Sequence, residues 1–483
     1  MSVLKSSLLA FSLALLSSAL PATAQTYDLV IHGGRVLDPE TNLDAVRDIG
    51  INGGTIAAVS NQALQGKRVI SAQGLIVAPG FIDLHEHAQT PESYRLKAFD
   101  GVTTALEMEI GASDVAGFLS QRQGRALINY GATASHGAAR ALAFHTPLKP
   151  DELLPPAGHD TDDPATPEQI DAMKNRLRSE FDKGALGLGM GIQYTPGASR
   201  WEVIQMFQLA AAHHLPVYTH IRSAGRTDPG SSVESVSEVI AAAAISGAPL
   251  HIVHINSSCL KQAPECLDMI AGARARRLDI TTEAYPYTAG MTILNSALFN
   301  PGWQQKFDVT YANLQLPDTG ERLTKQRFDE LHASTKPQAV LMFNNTDAMV
   351  GAVIRNPLVM IASDGEMGHP RNAGTYCRIL ARYVREQHSL TLMDAIRKMS
   401  FMPSQMLERS TPGGAKKGRI RVGADADLDV FDLKTVSDRA TYAHPREPSV
   451  GMHYVLVGGT LIIDSGKMIP NTFPGKALTS KGS

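Results

Sequence analysis

Two histidines stand two residues apart in the segment APGFIDLHEHAQT, which spans residues 78–90. His85 and His87 follow an apolar run, and the alternation of a β-strand would point both imidazoles to one face and Glu86 to the other. Imidazole is the commonest protein ligand of metals such as zinc. The spacing therefore indicates either two ligands of one metal ion or two polar residues where a strand ends.

Further candidate ligands stand at the ends of later apolar runs. One run ends in Glu107 and Glu109, whose carboxylates would share a face, and a single histidine or aspartate closes several others. Each such residue alone is more often structural. Four imidazoles and two carboxylates gathered in one cleft, however, form a donor set that zinc prefers. The candidate ligands at these strand ends are His85, His87, one of Glu107 and Glu109, His136, His220, His254 and Asp364.

Eight short apolar runs are the candidate strands that would position these residues. Helical patterns separate several of them, and alternating strands and helices predict a parallel sheet closed into a (β/α)8 TIM-like barrel. In such a barrel the catalytic residues lie at the carboxyl ends of the strands. The runs are VAPGFIDLHEH, GVTTALEMEIG, YGATASHG, GALGLGMGI, PVYTHI, APLHIVHI, DITTEAYPY and PLVMIASDG.

Two helices carry clear start signals. In TPEQIDAMKNRLRSEF, Thr166 is the expected N-cap and Gln169 completes a capping box, with Pro167 at the first helical position. In SRWEVIQMFQLAAAHHL, Ser199 and Glu202 repeat the pattern. Both predictions support helices between strands.

The ends of the chain differ from its middle. Residues 25–78 and 411–483 contain short alternating runs broken by Gly turns, which predict one small β-sandwich domain built from both chain ends. The barrel would occupy 79–410. Residues 289–356 are too long for a simple crossover and predict an insertion near the barrel mouth, and 149–165 read as a loop.

Composition and the N-terminal segment bear on location. The formal net charge of −2 does not favour binding to nucleic acid or to a membrane surface. Residues 1–24 combine Lys5, a short apolar core and small residues before Gln25, which predicts a cleaved signal peptide and a periplasmic or secreted protein.

The three cysteines do not encode a disulfide framework. Cys259 and Cys266 could pair, but we favour buried free thiols.

The chain resembles the amidohydrolase superfamily, and within it the N-acyl-D-amino-acid deacylases, or D-aminoacylases. The resemblance covers nearly the whole mature chain and is carried by PGFIDLHEH, SHGAAR, GALGLGMGIQYTPG, YTHIRS, EAYPYTAG and above all SDGEMGHPRNAGTYCRIL. It implies a metal-dependent hydrolase of C–N bonds other than peptide bonds, with one or two zinc ions and a small-molecule amide substrate.

The resemblance also implies roles for individual residues. His85 and His87 would hold one metal, and His220 and His254 would hold a second or shared one. Asp364 would be the general acid/base. Tyr194 and Arg371 would contact the carboxylate or the scissile carbonyl of the substrate, and Tyr285 would line the pocket.

Three departures from the family pattern concern this site. The family usually has a metal-bridging Cys where this chain has Ile110, so we assign the bridge to Glu109, with Glu107 as the alternative. The fourth strand lacks the Lys that other relatives carboxylate. Asn256 stands where the family often has a Lys that helps to bind the substrate carboxylate.

The predicted function is hydrolysis of N-acyl amino acids, expected to be N-acyl-D-amino acids, by metal-activated water with Asp364 as general acid/base. Alternatives on the same scaffold are a D- or isoaspartyl-type dipeptidase and a cyclic-amide hydrolase. A catalytically inactive metal-binding relative is the alternative outside enzymes.

Overall fold

The computed structural model describes residues 26–148, 154–334 and 336–481, so the predicted signal peptide lies outside the described residues. Five strands form the first part of the described chain. The first of them, β1, pairs antiparallel with β2 and parallel with β4 and β5. These strands are β1 (Thr26–Asp38), β2 (Leu43–Asn52), β3 (Thr55–Ser60), β4 (Gln65–Ser71) and β5 (Ile76–Pro79).

The middle of the chain forms an eight-stranded parallel sheet whose strands pair in chain order. Each of the eight predicted runs supplies one strand, which confirms the (β/α)8 barrel. Seven strands are β6 (Phe81–Asp83), β7 (Val102–Ala112), β8 (Asn129–Ser135), β9 (Leu188–Gly191), β10 (Val217–His220), β11 (Leu250–Ile252) and β12 (Ile280–Ala284). Strands β13 (Ala289–Ile293), β14 (Leu314–Gln315) and β15 (Ala339–Phe343) of the insertion follow, and the eighth barrel strand is β16 (Val359–Ile361).

Contacts just beyond the first and last strands close the barrel. Glu86 forms a parallel bridge with Gly365, whose N–H donates to the carbonyl of His85 at 3.0 Å. The N–H of Ser363 donates to Oδ1 of Asp83 at 2.9 Å. The segments that carry the first and last predicted ligands are therefore joined directly.

Helices lie between the barrel strands, within the insertion and after the last barrel strand. They are α1 (Pro91–Phe99), α2 (Val115–Arg122), α3 (His136–Ala143), α4 (His159–Asp162), α5 (Pro167–Asp182), α6 (Arg200–Ala212), α7 (Ser232–Ser246), α8 (Ile255–Ser258), α9 (Ala263–Ala275), α10 (Trp303–Phe307), α11 (Lys325–His332), α12 (Asp347–Arg355), α13 (Arg371–Arg378), α14 (Leu392–Ile396) and α15 (Met402–Leu407). The π-helical segments Ile379–Glu386 and Arg397–Phe401 extend α13 and α14.

The two helix starts follow the sequence signals, with one difference. Thr166 and Gln169 form the predicted capping box of α5. Ser199 caps α6 by accepting from the N–H of Glu202 at 3.0 Å. The Glu202 carboxylate, however, pairs with His136 in the protein interior and does not return to cap the helix.

The insertion has a hydrophobic core of its own at the barrel mouth. Its antiparallel sheet has the order β13-β15-β14. Phe299, Trp303 and Phe328 of the insertion belong to the same buried cluster as Tyr194 and Ile110 of the barrel. The insertion is therefore packed against the end of the barrel where the predicted ligands lie.

The C-terminal strands complete the first sheet. Strand β17 pairs antiparallel with β5 and so joins the two ends of the chain into one nine-stranded sheet, as predicted for the small β domain. Residues from both ends pack into a separate hydrophobic core. The strands are β17 (Leu428–Phe431), β18 (Met452–Val457), β19 (Thr460–Asp464) and β20 (Lys467–Met468).

The prediction that Cys259 and Cys266 are free thiols is wrong. Cys259 and Cys266 form a disulfide, because α8 and the start of α9 bring them together, and Cys377 is a buried free thiol. Within the part of the chain that the structure describes, no helix has the length and apolar character needed to cross a membrane.

A buried lysine beneath the barrel mouth gives a test of barrel closure. Nζ of Lys97 lies 2.7 Å from both Asp83 and Glu86, and its side chain is fully buried. Lys97→Met should reduce the free energy of unfolding by about 3–5 kcal/mol, since it leaves two buried carboxylates without their cation. Urea denaturation followed by circular dichroism measures this.

The matched control is Lys67→Met. Lys67 pairs with Asp28 at 2.7 Å on the surface, where ion pairs contribute little, so stability should hardly change. Equal stability of both variants would contradict a structural role for the Lys97 cluster.

Candidate metal centre

Four histidines from three parts of the barrel converge at the carboxyl ends of its strands. His85 and His87 follow β6, His220 ends β10, and His254 comes two residues after β11. Nε2 of His85 lies 3.0 Å from Nε2 of His87, and the rings of His220 and His254 are 4.6 Å apart between centroids. The barrel therefore brings together four residues that span 170 positions of sequence.

Glu109 lies at the centre of this group. One carboxylate oxygen is 3.0 Å from Nε2 of His85 and 3.1 Å from Nε2 of His87, and the other is 3.1 Å from Nε2 of His254. Two sets of ligand atoms result, His85, His87, Glu109 and Asp364 in one and Glu109, His220 and His254 in the other. Because Glu109 belongs to both sets, it is placed where a bridging carboxylate would be.

A bulge in β7 separates the roles of the two candidate glutamates. The pairing of β7 with β8 changes register between Glu107 and Ala112. Oε1 of Glu107 accepts from the N–H groups of Ile110 and Gly111, both at 3.2 Å, and Oε2 is 2.7 Å from Nδ1 of His87. Glu107 thus supports the bulge and orients His87, while the bulge directs Glu109 into the cluster.

The far nitrogen of each imidazole has a partner. Nδ1 of His85 donates to Glu283 at 2.6 Å, Nδ1 of His87 bonds to Glu107, and Nδ1 of His220 donates to the carbonyl of Ile221 at 2.9 Å. Nδ1 of His254 is 2.9 Å from the hydroxyl of Ser258. Fixing the proton on Nδ1 leaves the Nε2 lone pair free for a metal.

The electrostatics of the cluster call for positive charge. Burial would lower the pKa of His85, but surrounding carboxylates, led by Asp364 and Glu109, raise it well above its usual range. Burial would raise the pKa of Glu109, but the imidazoles of His85 and His254 outweigh burial and hold that pKa well below its usual range. Burial and His254 lower the pKa of His220 to about 4, so this ring is neutral. Without a metal, the carboxylates favour protonated imidazoles, and a bound cation would replace those protons.

Asp364 faces both the first metal set and an arginine. Oδ1 of Asp364 is 3.4 Å from Nε2 of His85 and of His87. Its Oδ2 lies 2.7 Å from Nη1 of Arg371, close enough for an ion pair although not aligned for a hydrogen bond. Burial would raise the pKa of Asp364, but Arg371 and His85 lower it, so the carboxylate is ionised.

Two ligands have an unusual backbone. His254 has φ +28° and Asp364 has φ +51°, a region that side chains other than glycine rarely adopt. Such conformations persist only where the surrounding structure holds them, and they concentrate at functional sites.

The structure also places the predicted substrate-contacting residues. Tyr194 and Tyr285 line the cavity above the cluster. Burial raises the pKa of Tyr194, and the charge of Glu109 adds to the effect, so its hydroxyl stays protonated. Arg371 stacks on the Tyr285 ring with its Cζ 4.7 Å from the centroid. Asn256 is buried behind the cavity, where its amide donates to the carbonyl of Tyr285 at 3.2 Å.

One strand-end histidine lies elsewhere. Nε2 of His136 is 2.8 Å from Glu202, which also pairs with Arg140, and this buried group contributes to neither metal set.

Three residues near the site, Glu283, His251 and Glu366, were not among the sequence predictions. Glu283 accepts from His85, and its other oxygen lies 3.0 Å from Nε2 of His251. Glu366 lines the cavity. Glu283 lies within β12, where its alternation with Tyr285 in DITTEAYPY places it on the barrel interior and is the signal that indicates it. Glu366 follows Asp364 on an irregular segment, where no periodicity indicates its direction.

The donor set fits zinc. Neutral imidazoles with oriented second nitrogens and buried carboxylates are its usual ligands, and without a cation several of these polar groups would face each other unfavourably. The site thus has the chemistry of a one- or two-metal hydrolytic centre.

Comparisons with known proteins agree with this chemistry. The chain is 30% identical to an N-acyl-D-glutamate deacylase from Alcaligenes xylosoxydans xylosoxydans, with 94% of this chain and 97% of the relative covered. It is 28% identical to a D-aminoacylase of the same organism, with 90% and 94% covered. No model of a known protein family matches the chain.

The fold also matches solved structures. A crystal structure of an N-acyl-D-glutamate deacylase from Bordetella bronchiseptica, in complex with zinc and a phosphonate inhibitor, superposes with a TM-score of 0.79. The two chains share 24% identity, and the match covers 94% of this chain and all of the other.

The contact between Glu283 and His85 yields a prediction. Glu283→Gln should weaken zinc affinity about tenfold to one-hundredfold, because a neutral amide no longer supports the basicity of the His85 ring. Competition with a chromophoric chelator measures the affinity.

Glu202→Gln is the control, since Glu202 also pairs with a buried histidine but outside both metal sets. The folded control should bind zinc as the wild type does. Unchanged affinity in Glu283→Gln would show that Glu283 does not tune the ligand.

Proposed function

Because the chain belongs to the N-acyl-D-amino-acid deacylase family of amidohydrolases, we propose that it is a zinc-dependent enzyme that hydrolyses the amide bond of N-acyl-D-amino acids. The observation that carries the proposal is the pair of ligand sets that share Glu109 beside Asp364 in one cavity. This arrangement supplies the metal ligands and an ionised carboxylate at one place.

His85, His87, His220 and His254 would hold zinc, with Glu109 between the two pairs and Asp364 beside the first pair. Zinc held there would supply a nucleophilic water at neutral pH and a Lewis acid for the carbonyl. The geometry favours Glu109 over Glu107 as the bridge, since both oxygens of Glu107 are engaged elsewhere. Metal analysis after dialysis distinguishes one tightly held ion from two.

Asp364 is placed to move the proton. Because Arg371 and the cluster keep it ionised, its carboxylate can accept a proton from the attacking water. It can then deliver that proton to the leaving nitrogen, which departs as an amine. The protonated hydroxyl of Tyr194 faces the same cavity and can donate a hydrogen bond to the carbonyl oxygen as negative charge develops there.

Arg371 is suited to hold the carboxylate of the amino acid. Its side chain is fully buried, and Nε and Nη2 have no hydrogen-bond partner among the described residues. A substrate carboxylate would satisfy these donors through a two-point contact that fixes the position of the scissile bond. Arg371 would thus orient the substrate while its Nη1 remains beside Asp364.

We also propose that the enzyme is periplasmic or secreted. The pattern of residues 1–24 supports export, and the disulfide between Cys259 and Cys266 is a bond typical of oxidising compartments. N-terminal sequencing of the protein recovered outside the cytoplasm should begin at Gln25. Recovery of the full chain in the cytoplasm would contradict export.

The proposed role of Asp364 is tested with Asp364→Asn. The zinc-loaded variant should keep most of its metal and lose activity on N-acetyl-D-amino acids by about 10²–10⁴-fold, since the amide cannot accept the proton. Initial rates of amine release and metal analysis give the two readouts. Retained turnover would remove Asp364 from this role.

A substrate panel tests the reaction class. The wild type should release amine from N-acetyl-D-amino acids faster than from their L enantiomers. Turnover confined to dipeptides or to cyclic amides would contradict the deacylase assignment and favour the corresponding alternative.

A further inference from the structure

Glu366 is a cavity-facing carboxylate that the proposed chemistry does not use. It is half-buried and lines the same cavity as Glu109 and Asp364. No lysine, arginine or histidine within the described part of the chain lies at ion-pair distance from it, and no side chain there donates to it. Glu366 also stands outside both sets of converging metal ligands.

Apart from Glu366, the acids and imidazoles that line the cavity belong to the metal site, and the charges of His87 and Arg371 act on Glu366 only from beyond ion-pair distance. Gln193, Thr292 and Asn344 form its neutral polar part, and apolar side chains such as Leu298 and Phe307 line the part next to the insertion. Among the described lining residues none is a lysine or an arginine. A part-buried carboxylate without a partner is unfavourable, so a ligand that brings a cation would be stabilised there.

Arg371 does not form an ion pair with Glu366. Its guanidinium is beside Asp364 and stacks on Tyr285, and it is not within 4.0 Å of the Glu366 carboxylate. Arg371 lies behind the cavity wall, fully buried, with donors that have no hydrogen-bond partner among the described residues. Glu366 itself lines the cavity, where its carboxylate can accept from a positively charged nitrogen.

We propose that Glu366 is a specificity-determining residue that recognises a protonated amine on the substrate. The inference rests on the proposed deacylase function and narrows its substrate class. The amine could belong to the side chain of the amino acid, as in an N-acyl-D-lysine, or to the acyl group, as in an aminoacyl-D-amino acid. Substrates with an acidic side chain should be disfavoured, because a second carboxylate would be repelled.

Minimal substrate pairs test the proposal on the zinc-loaded enzyme. N-acetyl-D-lysine and N-acetyl-D-norleucine differ by the side-chain amine, and glycyl-D-norleucine and N-acetyl-D-norleucine differ by an amine on the acyl group. In one pair the amine should raise kcat/KM about ten- to one-hundredfold, the effect expected of a charge-assisted hydrogen bond. N-acetyl-D-glutamate should be the poorest substrate. The pair that shows the preference identifies the source of the amine.

Glu366→Gln isolates the charge. It should remove the preference for the amine while leaving kcat/KM for N-acetyl-D-norleucine within about threefold and the zinc content unchanged. Glu386→Gln, on the surface, is the matched control and should preserve the preference. Circular dichroism checks that each variant is folded.

The outcomes separate the two proposals. A preference below about threefold in both wild-type pairs, a preference that persists in Glu366→Gln, or loss of zinc from that variant would overturn the role of Glu366. The comparison of the substrate pairs on the wild-type enzyme tests the role of Glu366 even if the variant does not fold. Failure of the wild type to hydrolyse N-acetyl-D-norleucine and every other N-acetyl-D-amino acid would instead reject the deacylase function, and this inference with it.

Discussion

The site depends on the contacts between the buried carboxylate of Glu109 and the imidazoles around it. A carboxylate taken out of water is costly unless opposite charge and hydrogen-bond donors surround it. Here the compensation comes from imidazoles that follow β6 and β11, while Glu109 itself is carried by β7. These groups meet only when the barrel is formed, so the same fold that buries the charge also assembles the ligands.

A second layer of polar contacts holds the metal-ligand histidines in place. Each ligand imidazole is oriented through Nδ1 by a carboxylate, a backbone carbonyl or a hydroxyl. Below them, Lys97 forms ion pairs with both Asp83 and Glu86 at the place where the first and last strands meet. The barrel interior is therefore polar near its mouth, where these ion pairs join the strand ends above the apolar packing.

In the proposed reaction, the metal ligands and the cavity wall would serve different purposes. The ligands and Asp364 would act on the amide bond, which is common to all acylated amino acids. The wall is built partly by the insertion, through residues such as Leu298 and Phe307, and by Glu366. Under the proposed function, selectivity among substrates would depend on segments that can change without disturbing the metal centre.

Much of this could be read from the sequence because the relevant patterns are local. The twofold period of strands placed His85 and His87 on one face, apolar runs gave all eight barrel strands, and caps located α5 and α6. Other features depend on contacts between distant segments. Glu107 and Glu109 are chemically alike and share a face, and only the bulge of β7 assigns one to the second nitrogen of His87 and the other to the cluster. The support of His85 by Glu283 likewise joins residues 198 positions apart. The Cys259–Cys266 bond and the pairing of Arg371 with Asp364 each join residues of neighbouring segments, across the break between α8 and α9 and across the turn before α13, where no strand or helix period indicates the contact.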